Sequence, residues 1–138
     1  MNKVAVLGLD IGLKRIGVAG CDGLGIVATE LTTVNRASFQ EDVEVFRQLV
    51  EEREINLLVV GVPYNREGEI GFQAKQVMKY ARRLANALNL TIEFVDERYT
   101  SVEAEEELRT SKKLSRRNKG LIDQRAAAII LQQWLDNR

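Results

Sequence analysis

Four acidic residues in three places are the ones best able to do chemistry: Asp10, the pair Asp96-Glu97, and Asp123. Asp10 closes the apolar run Val4-Ala5-Val6-Leu7-Gly8-Leu9 and is followed by Ile11-Gly12 and a second apolar stretch, Ile16-Gly17-Val18-Ala19-Gly20. An ionised carboxylate so close to a buried sheet is costly unless something pairs with it or coordinates it. Asp96-Glu97 closes Thr91-Ile92-Glu93-Phe94-Val95 in the same way. Asp123 lies on an apolar helix whose positions 123, 127, 130 and 134 share a face, in line with Ala127, Ile130 and Trp134. Carboxylates from three separate elements could hold two hard cations about 4 Å apart, which activate a water and stabilise the leaving oxygen in phosphodiester cleavage. Each acid also has a purely structural role open to it. Asp10 could bond its own turn, Asp96 could tie down the turn after its strand, Glu97 could pair with Arg98, and Asp123 could suit the dipole of a first helical turn. Three independent turn devices explain the pattern less well than one site.

The absences narrow the chemistry. There is no histidine and only one cysteine, Cys21, which removes His-based triads, the usual Cys/His zinc sites and any internal disulfide. Cys21, with nothing to activate it, reads as a small, partly buried residue. The formal net charge is zero, so attraction for nucleic acid must be local. Such a local patch precedes Asp123: Arg109, Lys112, Lys113, Arg116, Arg117 and Lys119 fall in a stretch without acids. A charge run of this kind is ordinarily a solvated loop. Directly ahead of a metal-ligand helix it becomes a phosphate clamp, since Lys and Arg that neutralise phosphates supply most nonspecific nucleic-acid affinity. Lys14 and Arg15, in the turn after Asp10, add contacts on the same side. Tyr64 and Tyr99, just beyond strand ends, are candidates for base stacking, whereas Trp134 reads as core or an interface contact.

The elements that must position these residues follow from periodicity. Residues 3 to 9, 14 to 20 and 25 to 34 read as three short strands with tight Gly-containing turns, which favours an antiparallel meander. Ser38 and Glu41 form a capping box opening a helix over 39 to 53, with Phe39, Val43, Phe46 and Val50 as its apolar stripe. Leu57-Leu58-Val59-Val60 is the continuous apolar run of a parallel strand buried on both faces, stopped by Gly61-Val62-Pro63. A second helix over about 70 to 88 carries Val77, Ala81, Leu84 and Leu88 on one side. A fifth strand spans about 91 to 95, Thr100 and Glu103 cap a short acidic helix to about Leu108, and a last helix runs from about 121 to 136. The expectation is a single α/β domain over residues 1 to 138. Its sheet is mixed and five-stranded, three antiparallel strands extended by parallel ones, with helices on both faces. In open α/β sheets, sites form beyond the carboxyl ends of strands, where Asp10 and Asp96-Glu97 fall. At 138 residues and 45% hydrophobic content the chain has enough apolar material for a full core. Its apolar runs are strand-sized, short of the about 20 residues of a membrane span, so a cytoplasmic protein is expected.

Four ordered blocks carry a family resemblance: Gly8-Leu9-Asp10-Ile11-Gly12 with Arg15-Ile16-Gly17-Val18-Ala19; Val60-Gly61-Val62-Pro63-Tyr64-Asn65 to Gly68; Asp96-Glu97-Arg98-Tyr99-Thr100-Ser101; and Asp123-Gln124-Arg125-Ala126-Ala127 to Ile130-Leu131. Together they resemble the YqgF family, the RuvC-like group of the ribonuclease H superfamily, described as pre-16S rRNA nucleases and earlier as Holliday junction resolvases. The resemblance implies a ribonuclease H-like fold, a nuclease dependent on Mg²⁺ or Mn²⁺, and a role in trimming the 5′ end of the small-subunit ribosomal RNA precursor. The family's acidic positions match at Asp10, in the Asp96-Glu97-Arg98 block and at Asp123. Asp10, Glu97 and Asp123 are the ligands expected on this basis. Asp96 stays open as the alternative, because neighbours in a strand point to opposite faces. The expected substrate contacts are Lys14, Arg15, Arg98, Lys112, Lys113, Arg116, Arg117 and Lys119. Val62 and Tyr64 stand where leucines are more usual in the family, a departure that touches loop packing and not the carboxylates.

Three classes of function remain distinguishable. The nuclease is favoured, acting on structured RNA or, alternatively, on branched DNA, as a monomer or homodimer. A sugar-kinase or actin-like ATPase shares a phosphate loop like Asp10-Ile11-Gly12 with Gly17, but builds its cleft from two such domains. A noncatalytic nucleic-acid or ribosome-associated module would keep the fold and use the acids for structure alone.

Overall fold

The tight turns near the amino terminus give the expected meander. In the computed structural model, which describes residues 3–64, 67–97 and 119–138, β1 (Val6–Ile11) and β2 (Arg15–Cys21) pair antiparallel. The Gly12 N–H donates to the Arg15 carbonyl at 2.9 Å to close their turn. β2 pairs antiparallel with β3 (Ala28–Asn35) across a loop organised by Asp22, whose carboxylate accepts from the N–H groups of Leu24, Ile26 and Val27. Gly25 in that loop takes a φ of +72°, a left-handed conformation that glycine adopts without strain.

Helix α1 (Phe39–Arg53) starts where the capping box places it, with Ser38 Oγ accepting from the Glu41 N–H at 3.2 Å. β4 (Leu57–Val62) then runs parallel to β1, α2 (Phe72–Leu88) crosses over, and β5 (Thr91–Asp96) runs parallel to β4. The last described element is α3 (Lys119–Asp136). The sheet order is β3-β2-β1-β4-β5, antiparallel on one side of β1 and parallel on the other. Helices cover both faces, as expected.

Alternation along the strands divides the core in two. Leu7, Leu9, Ile16, Val18, Leu58 and Val60 pack with Phe46 and Leu84 beneath α1 and α2. Val6, Ala19, Cys21 and Val59 pack against Ala127, Ile130, Leu131 and Leu135 of α3. Fully buried side chains such as Phe46, Leu9, Leu58 and Leu131 contribute about 1.5–3 kcal/mol each. Asp42, invisible as a core residue in the sequence, is 2% exposed because it accepts from the Ala37 N–H at 2.9 Å and from the Tyr80 hydroxyl at 2.9 Å. That pair ties α1 to α2.

The strands end later than expected. β1 continues to Ile11 and β4 to Val62, so Asp10 lies within its strand and not at its end. α3 begins at Lys119, which moves Asp123 from the first turn into the second and weakens the helix-dipole account of that residue. No helix among the described residues is long and apolar enough to cross a membrane. The expected helix over 100 to 108 lies outside the described residues.

Candidate active site

The carboxylates are placed by the parity of two strands, β1 and β5, and by the seat of α3. Asp10 shares its face of β1 with Val6 and Gly8, the face that α3 covers. Its register partner on β2 is Gly17. A Cβ on Gly17 would run into the Asp123 carbonyl oxygen, so the backbone of residue 123 rests directly on the strand beside Asp10. Gly8 allows the same approach further along, since a Cβ there would stand 2.6 Å from Leu131 Cβ and 3.1 Å from the Ala127 carbonyl. Hydrogen bonds pin the start of α3 over β3: Thr33 Oγ1 donates to the Gly120 carbonyl at 2.6 Å, and Gln124 donates to Thr33 at 3.1 Å. Arg125 adds an ion pair to Glu30 at 2.7 Å.

Parity also separates Asp96 from Glu97. Ile92 and Phe94 pack on the α1/α2 side and Val95 on the α3 side, so Asp96 follows the former and Glu97 the latter. Glu97 lies over Gly61 of β4, where an added Cβ would meet both Glu97 Oε1 and, at 2.5 Å, Ile130 Cδ1. Residues 123, 10 and 97 are therefore set out above three neighbouring strands, β2, β1 and β4, whose spacing is about 4.8 Å.

Their electrostatics reflect that placement. Burial, with a smaller contribution from the negative charge of Asp123, pushes the Asp10 carboxyl up from 3.8 to about 6. Burial, followed by repulsion from Asp10 and then Asp96, raises Glu97 from 4.5 to about 7. Asp123 accepts a charge-assisted hydrogen bond from Arg15 Nε at 2.7 Å. Arg15, expected at phosphate, is thus a partner of a candidate ligand. Among the described residues no three acidic, thiol or imidazole groups are gathered into a metal cage. The donor set nevertheless fits a hard divalent cation: it is all oxygen, and two of its members have pKa values raised above the ordinary carboxylate range by burial and by neighbouring negative charge.

Lys14 is exposed in the β1–β2 turn, as expected. Arg98, Lys112, Lys113, Arg116, Arg117 and Tyr99 lie outside the described residues, as does the side chain of Lys119. Cys21 is buried at the end of β2, where burial raises its thiol above the ordinary value. Trp134 is half-buried beneath β5 and donates to Glu93 Oε1 at 3.3 Å. Sequence reasoning quoted Gly8, Gly17 and Gly61 only as parts of motifs and missed that they seat other elements. Glycine inside an apolar strand marks a close backbone approach, and all three lie under α3 or Glu97.

A mixed sheet in this order, with acids near the carboxyl ends of β1 and β5 and a helix packed over that face, defines the class as a ribonuclease H-like fold. Residues 4–137 match the family model described as "RuvX: Holliday junction resolvase", and the chain belongs to that family, the YqgF family of the sequence resemblance. It is 65% identical over 137 residues to a protein of Gloeothece citriformis (strain PCC 7424), covering 99% of this chain and 91% of that one. It is 62% identical over 137 residues to a protein of Synechocystis sp. (strain ATCC 27184 / PCC 6803 / Kazusa), covering 99% and 90%. Both carry the name "Putative pre-16S rRNA nuclease". Among solved structures the fold is similar to T. thermophilus RuvC in complex with a Holliday junction substrate, with a TM-score of 0.54, 15% identity and coverage of 92% and 91%. The Fowlpox virus resolvase, solved with Holliday junction DNA, gives a TM-score of 0.56 at 7% identity, with coverage of 95% and 96%. At such identities the likeness establishes the fold.

Proposed function

We propose that this protein is a divalent-metal-dependent nuclease that hydrolyses phosphodiester bonds during 5′-end maturation of pre-16S ribosomal RNA in the cytoplasm. The observation that carries the reading is the placement of Asp123, Asp10 and Glu97 above adjacent strands on the face covered by α3, with two of them held near neutral pKa. Those three carboxylates would hold Mg²⁺ or Mn²⁺. When bound, such cations supply Lewis acidity and an activated water. Both Asp10 and Glu97 are partly protonated near pH 6–7, so holding a cation would displace that fraction of a proton from each. Arg15 fixes the Asp123 carboxylate beside the site and balances its charge in the absence of a ligand. Gly17 and Gly61 keep the floor of the site clear of Cβ atoms.

The relatives' names support the ribosomal substrate. The test is cleavage of a precursor RNA spanning the mature 5′ end, in Mg²⁺ or Mn²⁺, by wild type and Asp10→Asn. The variant should lose about 10²–10³-fold in rate while its circular dichroism is unchanged, as expected when an electrostatic element of catalysis is removed. Equal cleavage by the variant, in a preparation free of contaminating nuclease, would defeat the reading.

The family description favours a second reading, resolution of Holliday junctions. Symmetrical cleavage of a four-way junction requires two active sites, so it requires a dimer. Sedimentation showing a monomer, together with one-strand cleavage of RNA, separates the two readings.

A further inference from the structure

A second surface opens at the same end of the sheet, on the face opposite the carboxylates. A groove of about 590 Å³ runs between the residues just after Asp10 and the outer side of α2. It is lined by Leu13, Arg36, Phe72, Lys75, Lys79 and Arg83 among others, and no Asp or Glu contributes to it. Phe72, Lys75, Lys79 and Arg83 recur at helical spacing and so form one stripe. Its three cations rise about 6 Å from one to the next, at about 1.5 Å per residue.

Two features set this groove apart from an ordinary solvated face. Its arginines are pre-positioned: Arg36 lies over the Tyr80 ring at 4.2 Å and donates to the Gly12 carbonyl at 2.7 Å, and Arg83 lies over the Phe39 ring at 4.1 Å. Neither Lys75 nor Lys79 has an ion-pair partner among the described residues. The second feature is apolar exposure beside those charges, with Leu13 84% and Phe72 77% exposed. Nothing in the fold requires either side chain in water. A line of cations flanked by an exposed aromatic ring fits a strand whose phosphates take the charges while its unstacked bases take the ring. A duplex would offer only phosphates and leave Leu13 and Phe72 wet.

We propose that this groove binds a single-stranded RNA segment flanking the cleavage point, with its backbone along Lys75, Lys79 and Arg83 and a base against Phe72. The choice of RNA rests on the proposed nuclease function; the single-strand geometry rests on the groove. Because Ile11, Gly12 and Leu13 form one wall, a strand leaving Asp10 enters the groove by crossing the β1–β2 turn.

The test is fluorescence anisotropy with an unstructured RNA oligonucleotide, in EDTA and on an Asp10→Asn background, so that binding is read without cleavage. Lys75→Gln/Lys79→Gln should weaken binding at least tenfold and lower the slope of log affinity against log salt by about 1.4, at about 0.7 per phosphate contact. Phe72→Ala should weaken it about tenfold with the slope unchanged, as for loss of a stacking contact. Arg47→Gln, on the exposed side of α1, should do neither. The proposal is overturned by any one of four outcomes: no single-strand binding by the parent, an unchanged slope in the double variant, an equal loss in Arg47→Gln, or an equal effect of Phe72→Ala on duplex RNA. Displacement of the RNA by polyglutamate at matched charge concentration would assign the groove to an acidic peptide and also overturn it. Since all variants are at exposed positions, circular dichroism should match the parent; Phe72→Leu repeats the stacking test with helix propensity held closer. Intact groove binding alongside absent metal-dependent cleavage would strike the nuclease reading alone.

Discussion

At the scale of single residues, the site turns on which of two neighbouring acids faces α3. The family resemblance favoured Glu97 and left Asp96 open, and the residues alone could not decide, because parity is defined only once a register is known. Val95 beneath α3 and Phe94 beneath α2 supply it, and they put Glu97 on the side of Asp10. Asp96 influences the site from outside, as the third contribution to the raised Glu97 carboxyl. Under the proposed function, Glu97→Gln should lower metal-dependent cleavage at least about 100-fold, by removing a charge that stabilises the transition state. Asp96→Asn should change it less than about tenfold, since it removes only a neighbouring charge in partly solvated surroundings. Rates measured side by side at saturating Mg²⁺ check this, and the reverse order would exchange the two assignments. Arg15 gives the opposite lesson. Its charge was legible, but not its partner, because an ion pair spanning 108 residues leaves no local pattern.

At the scale of elements, most of the architecture could be read locally. Helix α1 begins and ends where the capping box and apolar stripe place it, at Phe39 and Arg53. The apolar run of β4 correctly announced a strand buried on both faces. Strand ends were less legible: Ile11, Gly61 and Val62 extend their strands through hydrogen bonds to neighbours, which the turn residues Gly12 and Pro63 do not reveal. The seat of α3 was read only in part, from the shared face of Asp123, Ala127, Ile130 and Trp134. What lets it approach is the set of glycines on the sheet beneath: Gly8 lies under Ala127 and Leu131, Gly17 under Asp123 and Gly61 under Ile130, all far away in sequence. Gly17→Ala should therefore cost about 1–3 kcal/mol in urea unfolding through overpacking against residue 123. It should also displace Asp123 from Asp10 and depress cleavage, whereas Gly23→Ala, whose added Cβ would meet only Lys3 at 3.5 Å, should stay within about 0.5 kcal/mol. Full stability in Gly17→Ala would mean that α3 does not rest on β2 as the structure has it.

At the scale of the whole molecule, a net charge of zero conceals a division: acids collect on the α3 face of one sheet end, and cations line the groove on the other. The acidic side has a thermodynamic consequence. Raised pKa values mean that the native state holds protons which the unfolded chain has already released, so stability falls as pH rises through the interval between the two values. For Asp10 that interval runs from 3.8 to about 6, and for Glu97 from 4.5 to about 7. Shifts of about two units correspond to about 3 kcal/mol per group if fully expressed, and to about 1–2 kcal/mol once partial exposure to water is allowed for. Asp10→Asn removes one of these charges. In metal-free buffer the variant should melt above wild type by roughly 4–8 °C at pH 8, with the gap closing as pH falls through about 6 to 4. Saturating Mg²⁺ or Mn²⁺ should narrow the gap at pH 8, because cation binding stabilises only the native state and wild type holds the ion more tightly. Scanning fluorimetry of both proteins across pH, with and without the metal, measures all of this. A gap that ignores pH, or metals that raise both melting points alike, would mean that residues 10, 97 and 123 do not act as one site.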